Sequence, residues 1–276
     1  MIYWSRCSRL HGRLRWIVQA AGGAFDGGSG TLPPPNFDGD GESVNTTMMG
    51  RALPQWEDMS PEVIHITRGL DASQSYVNLI QILDSGFLEA RNPFGAARQN
   101  CPDPASQRAV CFTEVPIHLV SRIIQRRLPQ DPAAWNGIAF NKRFVVERGG
   151  GPIMYAYDGT PHAEAIQAMM QSAWACPDPA AHPVWKLTPF VDRPGRHGTY
   201  YWEWEREWRI VGDMHFLPAD VAYLIIPEQY HQAATHHFMN AIGGKSGHKT
   251  YLRPMIDATW SLERCRQAIR ENRLRL

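Results

Sequence analysis

A strong net charge is what this chain most plainly lacks. Its 276 residues carry 28 Lys and Arg against 27 Asp and Glu, a formal net charge of +1. No long-range field is therefore expected to gather nucleic acid or to hold the chain on an anionic membrane, although a local basic patch stays open. Long apolar runs are missing too. Nothing approaches the roughly 18–20 apolar residues of a membrane-spanning helix, so no membrane contact is expected. The run from Trp16 to Ala21 is too short for a secretory signal and leads into glycines, which points to a cytoplasmic protein. The five cysteines (Cys7, Cys101, Cys111, Cys176 and Cys265) are odd in number and contain no CxxC pair. That argues against a disulfide framework and against a Cys-rich zinc site. HExxH, the P-loop and GxGxxG are absent as well. His231, His236 and His237 share one helical stretch, but at offsets of five and six rather than four. No metal site is expected from that spacing.

What is present begins with a contrast in composition. Residues 22–47 are rich in Gly, Pro, Asp, Ser and Asn and have too little apolar surface to offset the entropy of ordering. Residues 1–58 are read as a disordered or over-extended N-terminal segment, and residues 59–276 as one domain. Within that domain, strands are expected at Val63–Thr67, Ala109–Glu114, Gly137–Asn141, Pro152–Tyr157, Tyr200–Val211 and Val221–Ile226. Helices are expected at Tyr76–Leu83, after Pro116, at Glu164–Ala173, at Glu228–Asn240 and at Leu262–Asn272. Strands and helices do not alternate strictly, which favours α+β over a doubly wound sheet.

The segment from Tyr201 to Val211 carries the clearest chemistry. As one strand it would place Trp202, Trp204, Arg206, Trp208 and Ile210 on one face, and Glu203, Glu205, Glu207, Arg209 and Val211 on the other. An aromatic face suits a core. A ladder of carboxylates suits either a solvated outer strand or a working cleft. Carboxylates at i and i+2 fit the cleavage of a glycosidic bond: one stabilises an oxocarbenium-like centre, and the other takes a proton from the incoming nucleophile. NAD is such a glycoside, with nicotinamide as leaving group. On the strand Val63–Thr67, His65 and Thr67 share a face and could hold a ribose or an amide by hydrogen bonds. In the run Arg108–Pro116, Phe112 could stack on a flat ring, and Thr113 or Glu114 could contact it. The plain alternative for that run is a core strand leading into a helix.

The order H-x-T, then I-L-x-x-G-x-L, V-C-F-T-E-x-P, G-I-A-F and E-R-E-W-R resembles the AbiGi-type abortive-infection proteins of phage defence. It is also similar to the DarT group of ADP-ribosyltransferases. The resemblance runs from Val63 to about Tyr230. It implies an ADP-ribosyltransferase-like α+β fold, a central split antiparallel-rich sheet flanked by helices, with NAD as substrate. It further implies that Glu207 is catalytic, that Glu205 is an acceptor-side or supporting carboxylate, and that His65 contacts NAD. Arg91, Arg98 and Arg108 are the arginines available for the basic loop of the DarT group. The implied setting is phage defence or a toxin–antitoxin pair, with a nucleic-acid or protein acceptor and a cognate partner. The alternative in another class is an inactive interaction module on the same fold, acting as antitoxin or sensor.

Overall fold

The described residues in the computed structural model are 59–127, 135–194, 203–242 and 248–273. The reading of residues 1–58 lies outside them. The described residues open with β1 (Glu62–Arg68), α1 (Ala72–Ser85), β2 (Phe87–Leu88), β3 (Arg91–Pro93), β4 (Arg108–Thr113) and α2 (Ile117–Arg127). It continues through β5 (Trp135–Asn141), α3 (Lys142–Glu147), β6 (Gly151–Pro152), β7 (Met154–Tyr155), α4 (Pro161–Trp174), α5 (Val184–Leu187) and β8 (Val191–Asp192). β9 (Glu207–Val211), β10 (Met214–His215), β11 (Val221–Ile225), α6 (His231–Asn240), β12 (Met255–Ile256) and α7 (Leu262–Arg273) complete it.

The main sheet runs β12-β11-β5-β1-β4-β9-β6, with β3 on the flank of β4. Every pairing in it is antiparallel except β11 with β12. This is the α+β, antiparallel-rich arrangement flanked by helices that the sequence predicts. The sheet is also split. β1 pairs with β5 along seven residues and β4 with β9 along five, but β1 and β4 share only the register Ile64–Thr113.

Side-chain alternation assigns the two faces. Val63, Phe112, Ile138, Phe140, Trp208 and Leu224 build the main core with α1, α3 and α6. Ile64, Ala139, Tyr223 and Ile225 face the other way and pack against α2 and α7. A third cluster joins Ala96, Ala97 and Cys101 to α4, α5 and Val191.

α1 shows how local sequence fixes a boundary. The Asp71 carboxylate accepts from the Gln74 N–H at 2.8 Å and starts the helix. Gly86 ends it in the left-handed region at φ 63°, donating its N–H to the Ile82 carbonyl at 2.8 Å. Leu79 and Leu83 are fully buried between these ends, which contributes about 2 kcal/mol each.

One strand differs from expectation. Tyr200–Trp202 lie outside the described residues, and Glu203–Glu205 form a 3-10 turn rather than a strand. Arg206 takes φ 44°, and only Glu207–Val211 are extended. The cause is a pair of contacts from the neighbouring strand. The Thr113 hydroxyl donates to the Glu205 carbonyl at 2.5 Å, and the Glu114 N–H donates to the Arg206 carbonyl at 3.0 Å. These pull the chain out of the ladder, so the carboxylates do not form one row. The expected strand Pro152–Tyr157 is likewise only two short pieces, β6 and β7.

A Cβ at Gly86 would stand 2.6 Å from the Phe216 carbonyl oxygen on a backbone that disfavours L side chains. Gly86→Ala is therefore expected to lower unfolding stability by about 2 kcal/mol. Urea unfolding checks this through a lowered midpoint at unchanged slope.

Candidate active site

The ion pair at the start of β9 organises the second face of the sheet. Trp208 and Ile210 point into the main core, so Glu207 and Arg209 point away from it. Arg209 Nε donates to Glu207 Oε1 at 2.8 Å, and Nη2 donates to Oε2 at 2.9 Å. Its Nη1 donates to the Pro189 carbonyl at 2.6 Å, and Phe94 lies under the guanidinium at 5.2 Å. The two side chains are 3% and 14% exposed, Arg209 being the more buried.

Burial alone would push the Glu207 carboxyl up. The Arg209 charge, its hydrogen bonds and one from the Cys111 thiol outweigh that and leave the carboxyl below the ordinary carboxylate range. Burial, and then the Glu207 charge, raise the Cys111 thiol well above its usual value, so it stays protonated and can donate. Tyr155 is raised by the same two causes in the same order. Glu207 is thus ionised at neutral pH, beside neutral donors.

His65 stands on β1, two strands in from β9, at the split and on the main-core side of the sheet with Phe112. Beyond Ile64–Thr113 the two strands part, and the His65 ring fills the gap. Its Nδ1 lies 2.9 Å from the Cys111 carbonyl oxygen, and its ring meets Phe112 edge-on at 5.9 Å. A carbonyl only accepts, so Nδ1 carries the hydrogen. Burial holds the imidazole below its usual pKa against the opposing effect of that bond, and the Arg91 charge lowers it further. The ring is neutral, and its Nε2 is an acceptor. His65, Ile66, Cys111 and Glu207 are all partly exposed, while Val63, Ile64, Val110 and Phe112 are buried. Solvent therefore reaches the sheet along the β1–β4 seam.

The other residues singled out in the sequence are placed differently. Glu205 is buried at 7% exposure in the 3-10 turn, tied to Thr113 through its main chain. Thr113 is buried and spends its hydroxyl on that bond and on the Val115 N–H. Its role is to shape the turn. Thr67 is also buried, opposite Asn136 on β5, and its Oγ1 has no hydrogen-bond partner. Phe112 sits in the main core among His65, Phe140 and Trp208, so it has no free face for stacking. Arg108 is exposed at the far end of β4, about 17 Å along the strand from Thr113. Of the three arginines considered, Arg91 is the one whose charge acts on His65. Arg209 and Tyr155 are the parts that sequence reasoning missed. Arg209 was visible as the residue closing the carboxylate row, but its pairing with Glu207 was not.

No protein-family model matches the chain, and no curated protein does. Among solved structures, the chain is similar to DarT of Thermus sp. 2.9 in complex with NAD+, at 14% identity and a TM-score of 0.37. The match covers 73% of this chain and 97% of that one. A superposition of that quality supports no residue-by-residue correspondence.

Removing one partner of a buried ion pair leaves the other charge unpaired. Arg209→Met is expected to destabilise the fold by about 3–5 kcal/mol, and adding Glu207→Gln should recover much of the loss. The pH dependence follows from the lowered Glu207 value. Its stabilising contribution is complete above the unfolded-chain carboxyl pKa of about 4.3 and disappears as pH falls through the lower folded value. Glu207→Gln should therefore lose less stability than wild type between about pH 5 and pH 3, read by urea unfolding across that range.

Proposed function

We propose that the protein cleaves the nicotinamide–ribose bond of NAD at the β1–β4 seam, transferring ADP-ribose to an acceptor or to water. One observation carries this reading: Glu207 is an ionised, partly exposed carboxylate on β9, two strands from the neutral imidazole of His65 on β1 at the split in the sheet. As the bond breaks, its electron pair leaves with nicotinamide, and positive charge develops on the ribose C1′ and ring oxygen. A fixed carboxylate beside that centre stabilises it. The low pKa of Glu207 suits an electrostatic stabiliser rather than a proton donor. His65 Nε2 can accept from a ribose hydroxyl or from the nicotinamide amide. Glu205 is assigned the supporting role, its turn fixed by Thr113. Phe112 and Thr67 act behind the site rather than in contact with NAD, and Arg91 takes the place first considered for Arg108.

The setting we propose is phage defence or a toxin–antitoxin pair, from the motif order of the AbiGi-type and DarT proteins. The acceptor would be a nucleic acid or a protein. The near-neutral net charge favours a short contact over a long phosphate footprint.

A second reading has a specific observation in its favour. Both Glu207 oxygens are held by the Arg209 fork, which suits a purely structural ion pair in an inactive interaction module. Nicotinamide release from NAD separates the two. Catalysis predicts turnover by wild type and a loss of about 10²–10³-fold in Glu207→Gln. The module predicts none from either. Turnover that survives Glu207→Gln in a folded protein would remove Glu207 from the chemistry.

A further inference from the structure

The C-terminal end of α1 packs on the main-core face, opposite to the side on which Glu207 projects. Asp84 from the last turn of α1, His237 from α6 and His248 from the segment leading to β12 converge there. His237 Nε2 lies 3.2 Å from Asp84 Oδ1, and His248 Nδ1 lies 2.7 Å from Asp84 Oδ2. The two imidazole centroids are 4.5 Å apart, with ring planes at 54°. One ligand-type atom from each residue falls within 4.8 Å of the other two. Asp84 and His237 keep 22% side-chain exposure and His248 keeps 42%, so an ion can enter from solvent.

We propose that Asp84, His237 and His248 bind a divalent transition-metal ion, with Zn2+ the ion of choice. Two imidazole nitrogens and one carboxylate oxygen form a borderline donor set that suits Zn2+ and its first-row neighbours, not Mg2+ or Ca2+. Three protein ligands leave a position for water. In a tetrahedral Zn2+ site, bonds of about 2.1 Å place ligand atoms about 3.4 Å apart. The present ligand atoms lie within 4.8 Å of one another, so binding requires the three side chains to draw together. The direct Asp84–imidazole hydrogen bonds are the metal-free form of the same arrangement, and the ion replaces them by sitting between the donors.

The supporting residues are already seated. The Lys249 N–H donates to Asp84 Oδ1 at 3.4 Å, and the Tyr251 hydroxyl donates to the Leu83 carbonyl at 2.7 Å. These bonds hold the segment carrying His248 against α1, so little ordering entropy remains to oppose binding. Lys249 Nζ, which donates to the Ser85 carbonyl at 2.7 Å, is the nearby positive charge acting against a cation. A bound ion would clamp α1, α6 and the lead into β12 together. Sequence spacing did not reveal the site, because its ligands are separated by 153 and 164 residues from Asp84.

The test uses the full chain, stripped with EDTA, desalted and titrated with Zn2+ by calorimetry. One ion per chain is expected. At a hundredfold excess over Kd, Tm should rise by roughly 5 °C or more. His237→Ala and His248→Ala should each weaken binding at least about tenfold. His236→Ala, on the same helix but outside the cluster, should leave binding unchanged. Should His237→Ala destabilise the metal-free chain, the half-exposed His248 gives the decisive variant. Absence of binding, or equal binding by wild type and His248→Ala, would overturn the site.

Discussion

The Arg209–Glu207 pair is the contact on which the second face of this protein depends. A guanidinium at 3% exposure has to find partners for its donors or leave a charge stranded in the interior. It finds the two Glu207 oxygens on its own strand and the Pro189 carbonyl from the segment before β8. The same group thus fixes a carboxylate at the start of β9 and ties that strand to the packing around α4 and α5. Structural and chemical roles meet in one residue. The same guanidinium bonds the Pro189 carbonyl through Nη1 and keeps Glu207 ionised through Nε and Nη2.

The split between β1 and β4 follows from a second local exchange of partners. Where the ladder would continue, a side chain takes the carbonyl instead: His65 takes that of Cys111, much as Thr113 takes that of Glu205. Each substitution keeps the polar groups satisfied while ending a run of regular pairing. One opens the seam and the other bends the chain into β9. The Asp84 cluster is built differently. It is held by side chains at the end of a helix, so its geometry can adjust without disturbing the core.

Much of the fold was legible because its signals are local. Gly86 at the end of α1 and Pro116 before α2 each act within one turn of chain. The alternation of β1 placed His65 and Thr67 on one face, as the strand has them. The reading failed at Glu203–Arg206, where alternation continues in the sequence but not in the backbone. It failed for Phe112 too, since an aromatic residue beside polar ones looks the same whether it lines a cleft or a core. Arg108 was chosen for its type and proximity in sequence, yet strand direction carried it to the far end of β4.

By itself, the sequence determined the class of the fold, most of its strands and helices, and the choice of Glu207 as the residue to examine. These depend on periodicity and capping, which act over a few residues. Tertiary structure alone decided that Arg209 holds Glu207, that His65 stands in the split, that Glu205 is withdrawn into a turn, and that Asp84 meets His237 and His248. Those outcomes depend on register between distant strands and on which buried group finds which partner. Neither is written in the spacing of any one segment.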